Sequence, residues 1–330
     1  MSLTKLDIDR YITTLRTNSK EFNNISDVQL SSMLENVISN INEVAYFWST
    51  VCSDNKGTTK TPAEGEEWLG GPFAAVLATQ YYIETLQSND DLSLNSFNKE
   101  ENSYKVFQNK FIEKITFPFI NAKVYFNKSM SFEDINKFRG FSRRFDIDPS
   151  ITLVLGAGNF SSIPYLDVLY HLITRRSVIL LKLNPVNEYL KPVFEKVFQN
   201  FIERGYVIIT TGNIEESKYM ATHTGVNHIH LTGSDKTFEE IVYGRELNDK
   251  EKKLKNISKV NTKPITSELG NVTPFIIHPG KWSTSDIKYQ ARKIVTGKLN
   301  NNGFNCIAAQ VVVLPDGWGQ TETLIKYIKL

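Results

Sequence analysis

The sequence contains little cysteine and no long apolar run. Cys52 and Cys306 are its two cysteines. They lie far apart in the chain, so the sequence indicates neither a disulfide framework nor a metal site built on closely spaced cysteines. No apolar stretch approaches the roughly 18 residues that a membrane-spanning helix needs. Residues 1–15 lack the basic start and continuous apolar core of a secretory signal. We therefore predict a reducing, cytoplasmic setting without a membrane span or a bound metal.

An excess of charge of one sign is also missing. The chain has 38 basic and 36 acidic residues and a formal net charge of +2. Its densest basic segment, Lys250 to Lys259, contains Glu251 and is typical of a solvated face. We therefore predict no nucleic-acid partner. The 330 residues, of which 41% are hydrophobic, are enough to fold into about two domains with a sizeable core.

The first 150 residues predict a largely helical layer. Ser26 and Gln29 form a capping-box pattern, and the apolar spacing that follows predicts a helix over residues 26–52. A second helix is expected along residues 68–87, entered through a Gly-Gly-Pro turn. Residues 87–110 are polar and are interpreted as a loop. The segments ITFPFI and AKVYF are candidate strands.

After Pro149, apolar strands alternate with helices. This alternation predicts βαβ units and a doubly wound, Rossmann-like parallel α/β sheet, in which ligands bind beyond the carboxyl ends of the strands. The predicted strands are 151–158, 177–183, 207–212 and 228–234, and the predicted helices are 163–174, 189–204, 215–222 and 235–243.

Two strand ends carry candidate cofactor groups but depart from the usual dinucleotide fingerprint. The first strand runs into Gly156 and Gly158, yet Ser161 stands where G-x-G-x-x-G needs its third glycine. The second strand closes with Lys182 where an ordinary Rossmann enzyme has an acid. A lysine there suits ribose hydroxyls or a 2′-phosphate. A plain tight turn and a surface lysine are the competing interpretations.

Three further segments carry candidate binding or catalytic residues. Thr232-Gly233-Ser234 ends a strand and opens a helix, an arrangement that suits a pyrophosphate and also an ordinary helix cap. Glu268 precedes Leu269 and a glycine turn. Cys306 follows an Asn- and Gly-rich loop that favours an accessible thiolate, whereas a lone cysteine is otherwise often a small buried hydrophobe.

In their order along the chain, these segments resemble the aldehyde dehydrogenase superfamily. The resemblance covers about residues 150–315 and is carried by N-F after a buried strand, a strand-ending lysine followed by Asn-Pro, T-G-S, E-L-G-N and N-x-G-x-x-C. It implies that Cys306 is the nucleophile, that Asn159 and the Cys306 backbone N–H bind the oxyanion, and that Glu268 is the general base.

The resemblance also implies a site for NAD or NADP. Lys182 would hold the adenosine ribose, and Gly233 and Ser234 would lie against the pyrophosphate. The remaining predicted cofactor contacts are Thr232, Gly158 and Leu269. Histidine has no role in the family's core chemistry, so the histidines at 223, 228 and 230 are interpreted as structural.

This sequence departs from the family pattern in two places, one in the wall beside the oxyanion donor and one that bears on the cofactor. Gly158 replaces the usual tryptophan before the asparagine. Pro185 replaces the acidic residue usually found three positions after the lysine, which weakens an NAD-specific interpretation and makes NADP an alternative.

The resemblance also bears on domain organisation. Residues 1–265 are predicted to form the N-terminal helices and the NAD(P)-binding domain, and residues 266–330 part of a catalytic domain. Because family members continue well beyond the cysteine, we expect the isolated chain to be poorly stable or inactive as an oxidase. A full-length form could assemble as a homo-oligomer.

The predicted function is oxidation of a small-molecule aldehyde to a carboxylic acid through a cysteine thiohemiacetal and thioester. Two alternatives stay open at the level of sequence. One is an acylating, coenzyme A-linked dehydrogenase or acyl-CoA reductase that acts on an acyl thioester through the same cysteine. The other is a catalytically incompetent remnant that binds nucleotide.

Overall fold

The computed structural model describes residues 3–87, 97–108, 111–138, 148–254 and 256–330. The predicted loop at 87–110 and the mixed segment that follows it therefore lie partly outside the described residues. Among the described helices, none combines the length and apolarity that crossing a bilayer requires.

The N-terminal layer consists of four helices, of which the first two begin at side-chain caps. They are α1 (Lys5–Asn23), α2 (Asp27–Lys56), α3 (Glu64–Trp68) and α4 (Ala74–Gln87). The capping box of Ser26 and Gln29 starts α2, as predicted, and the helix ends at Gly57 in the left-handed conformation. The helix α1 was not predicted, although Thr4 and Asp7 form a capping box and its buried residues recur at helical spacing.

The segment after α4 forms a small antiparallel sheet. Its elements are β1 (Phe97–Asn98), β2 (Ser103–Phe107), α5 (Phe111–Thr116), β3 (Ala122–Tyr125) and α6 (Phe132–Phe138), with strand order β1-β2-β3. The strand in AKVYF is confirmed. The loop prediction for 87–110 was wrong at β1 and β2, because the pairing of β2 with both β1 and β3 overrides the polar composition of this segment. The strand predicted in ITFPFI was wrong, because α5 and a turn occupy that segment.

The predicted parallel sheet is confirmed. Its strands are β4 (Ile151–Leu155), β5 (Val178–Lys182), β6 (Val207–Thr210), β7 (His228–Thr232) and β8 (Ile265–Glu268), in the order β6-β5-β4-β7-β8. The helices between them are α7 (Ile163–Thr174), α8 (Lys191–Val197), α9 (Gln199–Glu203), α10 (Ile214–Thr222) and α11 (Asp235–Tyr243). The single helix predicted over 189–204 is a 3₁₀ turn followed by α8 and α9.

The sheet is covered on both faces. Because βαβ crossovers are right-handed, α7 and α8 cover one face, and α2 and α4 pack on them from outside. The connection from β6 to β7 returns along the other face, where α10 packs with α1. β4 and β5 are buried along their whole length, which explains their nearly continuous apolar sequence.

The last part of the chain has its own small core. It contains β9 (Thr273–Ile276), α12 (Thr284–Leu299), β10 (Ala309–Val313) and α13 (Thr321–Ile328), with β9 and β10 parallel. The buried apolar cluster here comprises Ile277, Ile287, Ala291, Ile294 and Leu324. β8 extends past residue 265 within the larger sheet. The domain boundary at 265/266 stays a prediction.

The unpredicted helix α1 offers a direct test of the packing. Leu15 is 0% exposed against the sheet and Leu6, on the same helix, is 68% exposed. We expect Leu15→Ala to lower the free energy of unfolding by about 2–5 kcal/mol, because it removes buried methyl groups and leaves a cavity. Leu6→Ala, the control, changes it by less than about 0.5 kcal/mol. Urea denaturation measures both values, and equal losses would contradict the packing of α1 on the sheet.

Candidate active site

A cavity of about 750 Å³ lies at the carboxyl ends of β4, β5, β7 and β8. Most of the predicted site residues line it, although they come from distant parts of the chain. These are Gly158, Asn159, Thr232, Gly233, Ser234, Glu268, Leu269 and Cys306. The structure therefore brings the three candidate catalytic side chains to one cleft beside the Thr232–Ser234 turn.

The turn after β4 approaches the next strand connection closely. A Cβ atom on Gly158 would lie 2.8 Å from Cγ of Asn184, so no larger side chain fits there without movement. The Asn184 side chain is held in turn, because its Oδ1 accepts the Val186 backbone N–H at 3.1 Å. This contact favours glycine at position 158.

The asparagine predicted to bind the oxyanion is tied to the cysteine loop. Asn159 Nδ2 donates to the Phe304 carbonyl at 2.9 Å, two residues before Cys306. Asn301 Nδ2 donates to the Asn159 carbonyl at 3.0 Å. These two bonds fix the position of the amide relative to the loop, and they leave the second N–H of the Asn159 amide for another acceptor.

The cysteine loop has a special backbone that its Asn- and Gly-rich sequence permits. Asn301 and Asn302 both have φ of 53° and Gly303 has φ of 79°, all in the left-handed region. Cys306 is exposed, and its Sγ lies 3.7 Å from Asn305 Oδ1. The interpretation of this cysteine as a buried hydrophobe is wrong. Cys52 is the buried one, and burial raises the pKa of its thiol to about 11.

The parallel pairing of β7 with β8 places the acid beside the T-G-S turn. Thr232 is opposite Glu268 in the ladder, and the Gly233 N–H donates to the Glu268 carbonyl at 3.0 Å. Ser234 is the N-cap of α11 and its Oγ accepts the Thr237 N–H at 3.1 Å. The helix-cap interpretation of Ser234 is thus correct, and its hydroxyl is already engaged.

Lys182 lines a second cavity of about 880 Å³ rather than the one that holds Cys306. The two cavities adjoin along a shared wall formed by Asn184, Thr232, Gly233 and Ser234. The Lys182 residue is only 6% exposed. Burial lowers the pKa of its ammonium, and the carboxylates of Glu188 and Glu216 act in the opposite direction.

The N-terminal layer reaches the cysteine loop through a lysine that the sequence did not single out. Lys56 Nζ, which lines the cavity, bonds Glu67 Oε1 at 2.8 Å and Asn301 Oδ1 at 2.7 Å. Glu66 Oε2 accepts the Asn301 backbone N–H at 2.5 Å. This tether, formed by Lys56, Glu66, Glu67 and Asn301, supports the left-handed turn from the other side. The contacts span more than 200 positions, so local sequence patterns could not reveal them.

A row of polar side chains lies between α7 and β7 and ends at the cavity. We call it the polar seam: Asp167 and His171 of α7, Arg175 directly after that helix, and His228, His230 and Thr232 of β7. His171 is 1% exposed, and its ring centroid lies 5.0 Å from that of His230. Asp167 and His171 were not singled out in the sequence. The sequence signal for them was the regular spacing of Asp167, His171 and Arg175, each about one helical turn after the last, which places the three on one side of a helix.

Metal ligation finds no support within the part of the chain that the structure describes. No group of three or more His, Cys, Asp or Glu side chains there is arranged to hold an ion.

Comparison with known proteins agrees with this geometry. The sequence model of the aldehyde dehydrogenase family matches residues 171–325. This match covers a little under half of the chain and indicates similarity to that family. The chain is 25% identical over 122 residues to 4,4′-diaponeurosporen-aldehyde dehydrogenase of Staphylococcus aureus, an alignment that covers 37% of the chain and 23% of that protein.

Solved structures of the superfamily share the fold. One is an NAD-dependent benzaldehyde dehydrogenase from Corynebacterium glutamicum, with TM-score 0.65 and 13% identity over 99% of this chain and 58% of that one. Another is a glyceraldehyde-3-phosphate dehydrogenase from Methanocaldococcus jannaschii complexed with NADP, with TM-score 0.64 and 15% identity over 99% and 59%. The chain thus spans a little over half the length of these structures.

Breaking the tether should destabilise the fold more than breaking a surface ion pair. The side chains of Lys56 and Glu67 are 13% and 5% exposed. We expect Lys56→Met to lower the free energy of unfolding by about 3–5 kcal/mol, because it leaves a buried carboxylate unpaired. Adding Glu67→Gln should restore part of this loss. Lys191→Met, which breaks the exposed pair with Glu195, is the control and should cost less than about 1 kcal/mol. Urea titrations measure the free energy of unfolding of each variant. If Lys191→Met lowers it as much as Lys56→Met does, then the expected contribution of the tether to stability is wrong.

The buried imidazole of His171 in the polar seam predicts that the free energy of unfolding depends on pH. Burial is the main cause that lowers the pKa of His171 to about 3, and His230 and Arg175 act in the same direction. Below about pH 6.5 the unfolded imidazole binds a proton that the folded one does not. The free energy of unfolding should therefore fall with decreasing pH between about 6.5 and 3, by up to ~1.4 kcal/mol per pH unit from this group.

His171→Leu should reduce that slope, whereas His278→Leu at an exposed position should leave it unchanged. Denaturant unfolding at several pH values measures the slopes. If His171→Leu keeps the slope of the unaltered chain, then His171 is not buried in its neutral form.

Proposed function

We propose that this chain carries the nucleotide-binding and cysteine-based chemistry of an NAD(P)-dependent aldehyde dehydrogenase. The observation that carries the proposal is the single cavity lined by Cys306, Glu268 and Asn159 beside the Thr232–Ser234 turn. A thiol, a carboxylate and an amide are together sufficient to oxidise an aldehyde through an acyl-enzyme when a hydride acceptor is present.

In the proposed reaction, Cys306 Sγ forms a bond to the aldehyde carbonyl carbon and gives a thiohemiacetal. The free N–H of the Asn159 amide and the Cys306 backbone N–H stabilise the negative charge that develops on oxygen. Loss of hydride from that carbon leaves a thioester on Cys306. Glu268 then takes a proton from water, the resulting hydroxide attacks the thioester, and the acid leaves as the thiol is restored.

The second cavity fits the adenosine half of a dinucleotide. Lys182 places a buried positive charge there, and Gly158 and Gly233 leave room for close approach along the shared wall. Bound NAD or NADP would supply the hydride acceptor. The solved relative from Methanocaldococcus jannaschii is complexed with NADP, and the one from Corynebacterium glutamicum is described as NAD-dependent.

The choice between NAD and NADP depends on charge around Lys182. Pro185 supplies no carboxylate to this cavity, which favours a 2′-phosphate. Glu188 and Glu216 both act electrostatically on Lys182 and oppose a second anion. Comparing the affinities for the two nucleotides measures which effect dominates. We propose that the reaction takes place in the cytoplasm, that the substrate is a small aldehyde and that the protein forms a homo-oligomer.

The decisive test detects chemistry even when turnover is slow. The 330-residue chain is incubated with excess NAD or NADP and a panel of aldehydes, and nicotinamide reduction is followed by absorbance. Mass spectrometry of the digested protein locates any acyl adduct. We expect about one equivalent of reduced nucleotide per chain in Glu268→Gln and an acyl group on Cys306, because deacylation lacks its base.

Controls and alternatives are separated in the same assay. Cys306→Ala should abolish both signals, whereas Cys52→Ala should leave them unchanged, since Cys52 is buried with a raised pKa. Release of the acyl group from Glu268→Gln by coenzyme A, but not by water, would indicate the acylating alternative. Nucleotide binding without any adduct on Cys306 would favour a binding remnant and contradict the proposed oxidation.

A further inference from the structure

The polar seam has an unusual distribution of hydrogen bonds. Thr232 Oγ1 donates to Asp167 Oδ2 at 3.0 Å, and His230 Nδ1 lies 2.8 Å from Thr266 Oγ1. Farther from the cavity, both ring nitrogens of His171 and Nδ1 of His228 are buried without a partner in the described part of the chain. Hydrogen bonding is therefore concentrated at the end that meets the cavity.

The protons at that end can be assigned from the partners. The Asp167 carboxylate only accepts, so the hydroxyl proton of Thr232 points towards it. If Thr266 donates to Nδ1 of His230, then the other ring nitrogen carries the proton. That nitrogen, Nε2, lies 3.3 Å from Asp167 Oδ1 and 3.3 Å from Thr232 Oγ1.

This arrangement gives the Thr232 hydroxyl a fixed polarity. Its single proton is used by Asp167, so towards any further partner, including a ligand in the cavity, the oxygen acts as an acceptor. Thr232 belongs to the wall shared by both cavities, where the two halves of a dinucleotide would meet. A group with N–H donors and no negative charge is the chemistry that such an oxygen recognises.

We propose that Asp167 and His230 are positioning residues that hold the Thr232 hydroxyl as an acceptor for the carboxamide N–H of a bound nicotinamide. This inference rests on the proposed function, because it requires a nicotinamide nucleotide in the cleft. Neither residue touches the nucleotide; each acts through Thr232. The buried carboxylate and imidazole at this end of α7 and β7 thereby acquire a role beyond packing.

The test compares NAD with ADP-ribose, which lacks the nicotinamide and its carboxamide. Binding to the 330-residue chain is measured by titration calorimetry for both ligands, with NADP in place of NAD if it binds more tightly. Asp167→Asn keeps the shape but allows an amide N–H to donate to Thr232, which turns the hydroxyl proton towards the cavity. We expect NAD binding to weaken about three- to tenfold, the size of one hydrogen bond, and ADP-ribose binding to be unchanged.

A double-mutant cycle tests whether Asp167 acts through Thr232. Thr232→Val should weaken NAD binding by a similar factor, and adding Asp167→Asn to it should cause no further loss. Thr232→Ser retains the hydroxyl and should bind NAD like the unaltered chain. His228→Gln changes the distal part of the seam and is the control for a purely structural effect.

Two results would overturn the proposal while leaving the proposed function intact. Asp167→Asn could weaken NAD and ADP-ribose equally, or its effect could persist in the Thr232→Val background. If the unaltered chain binds neither NAD, NADP nor ADP-ribose, then both the positioning role and the proposed nucleotide-dependent function are wrong.

Discussion

The parallel pairing of β4, β5, β7 and β8 is the constraint on which the site depends. Parallel strands in register bring their carboxyl ends to one edge, so Asn159, Lys182, Thr232 and Glu268 converge although the chain separates them widely. The direct pairing of Thr232 with Glu268 shows this most clearly. A shift of this ladder by one residue would turn these side chains to the other face and disperse the site.

The cysteine is brought to this edge by a different means. Its loop belongs to no strand of the main sheet, and its backbone passes through consecutive left-handed residues that need outside support. Asn301 provides that support by bonding both Lys56 of the N-terminal layer and the carbonyl of Asn159. The helical layer thus contributes to the geometry of the cleft as well as covering the sheet.

Buried polar side chains also occur along β7, next to the cleft. A strand covered by helices on both faces is expected to be apolar, as β4 and β5 are, whereas β7 carries two histidines and a threonine towards α7. Within the described residues, the polar groups at its cavity end have hydrogen-bond partners, whereas Nδ1 of His228 and both ring nitrogens of His171 have none. The polar side chains of β7 are therefore hydrogen-bonded where the strand reaches the wall of the cleft.

The sequence by itself determined the order of strands and helices from Ile151 to Tyr243 and most of the residues that line the cleft. These features follow from local periodicity and from short motifs whose chemistry is visible in a few neighbouring residues. It did not reveal α1, the pairing of β2 with β3, or the helix α12, although caps and spacing were present for the two helices. Only the tertiary structure decided that Lys182 lies in a separate cavity, that Asn184 lies too close to Gly158 for a larger side chain to fit without movement, and that Lys56 contacts the cysteine loop and Asp167 contacts Thr232. Each of these depends on contacts between segments far apart in the chain, and local sequence carries no information on such distances.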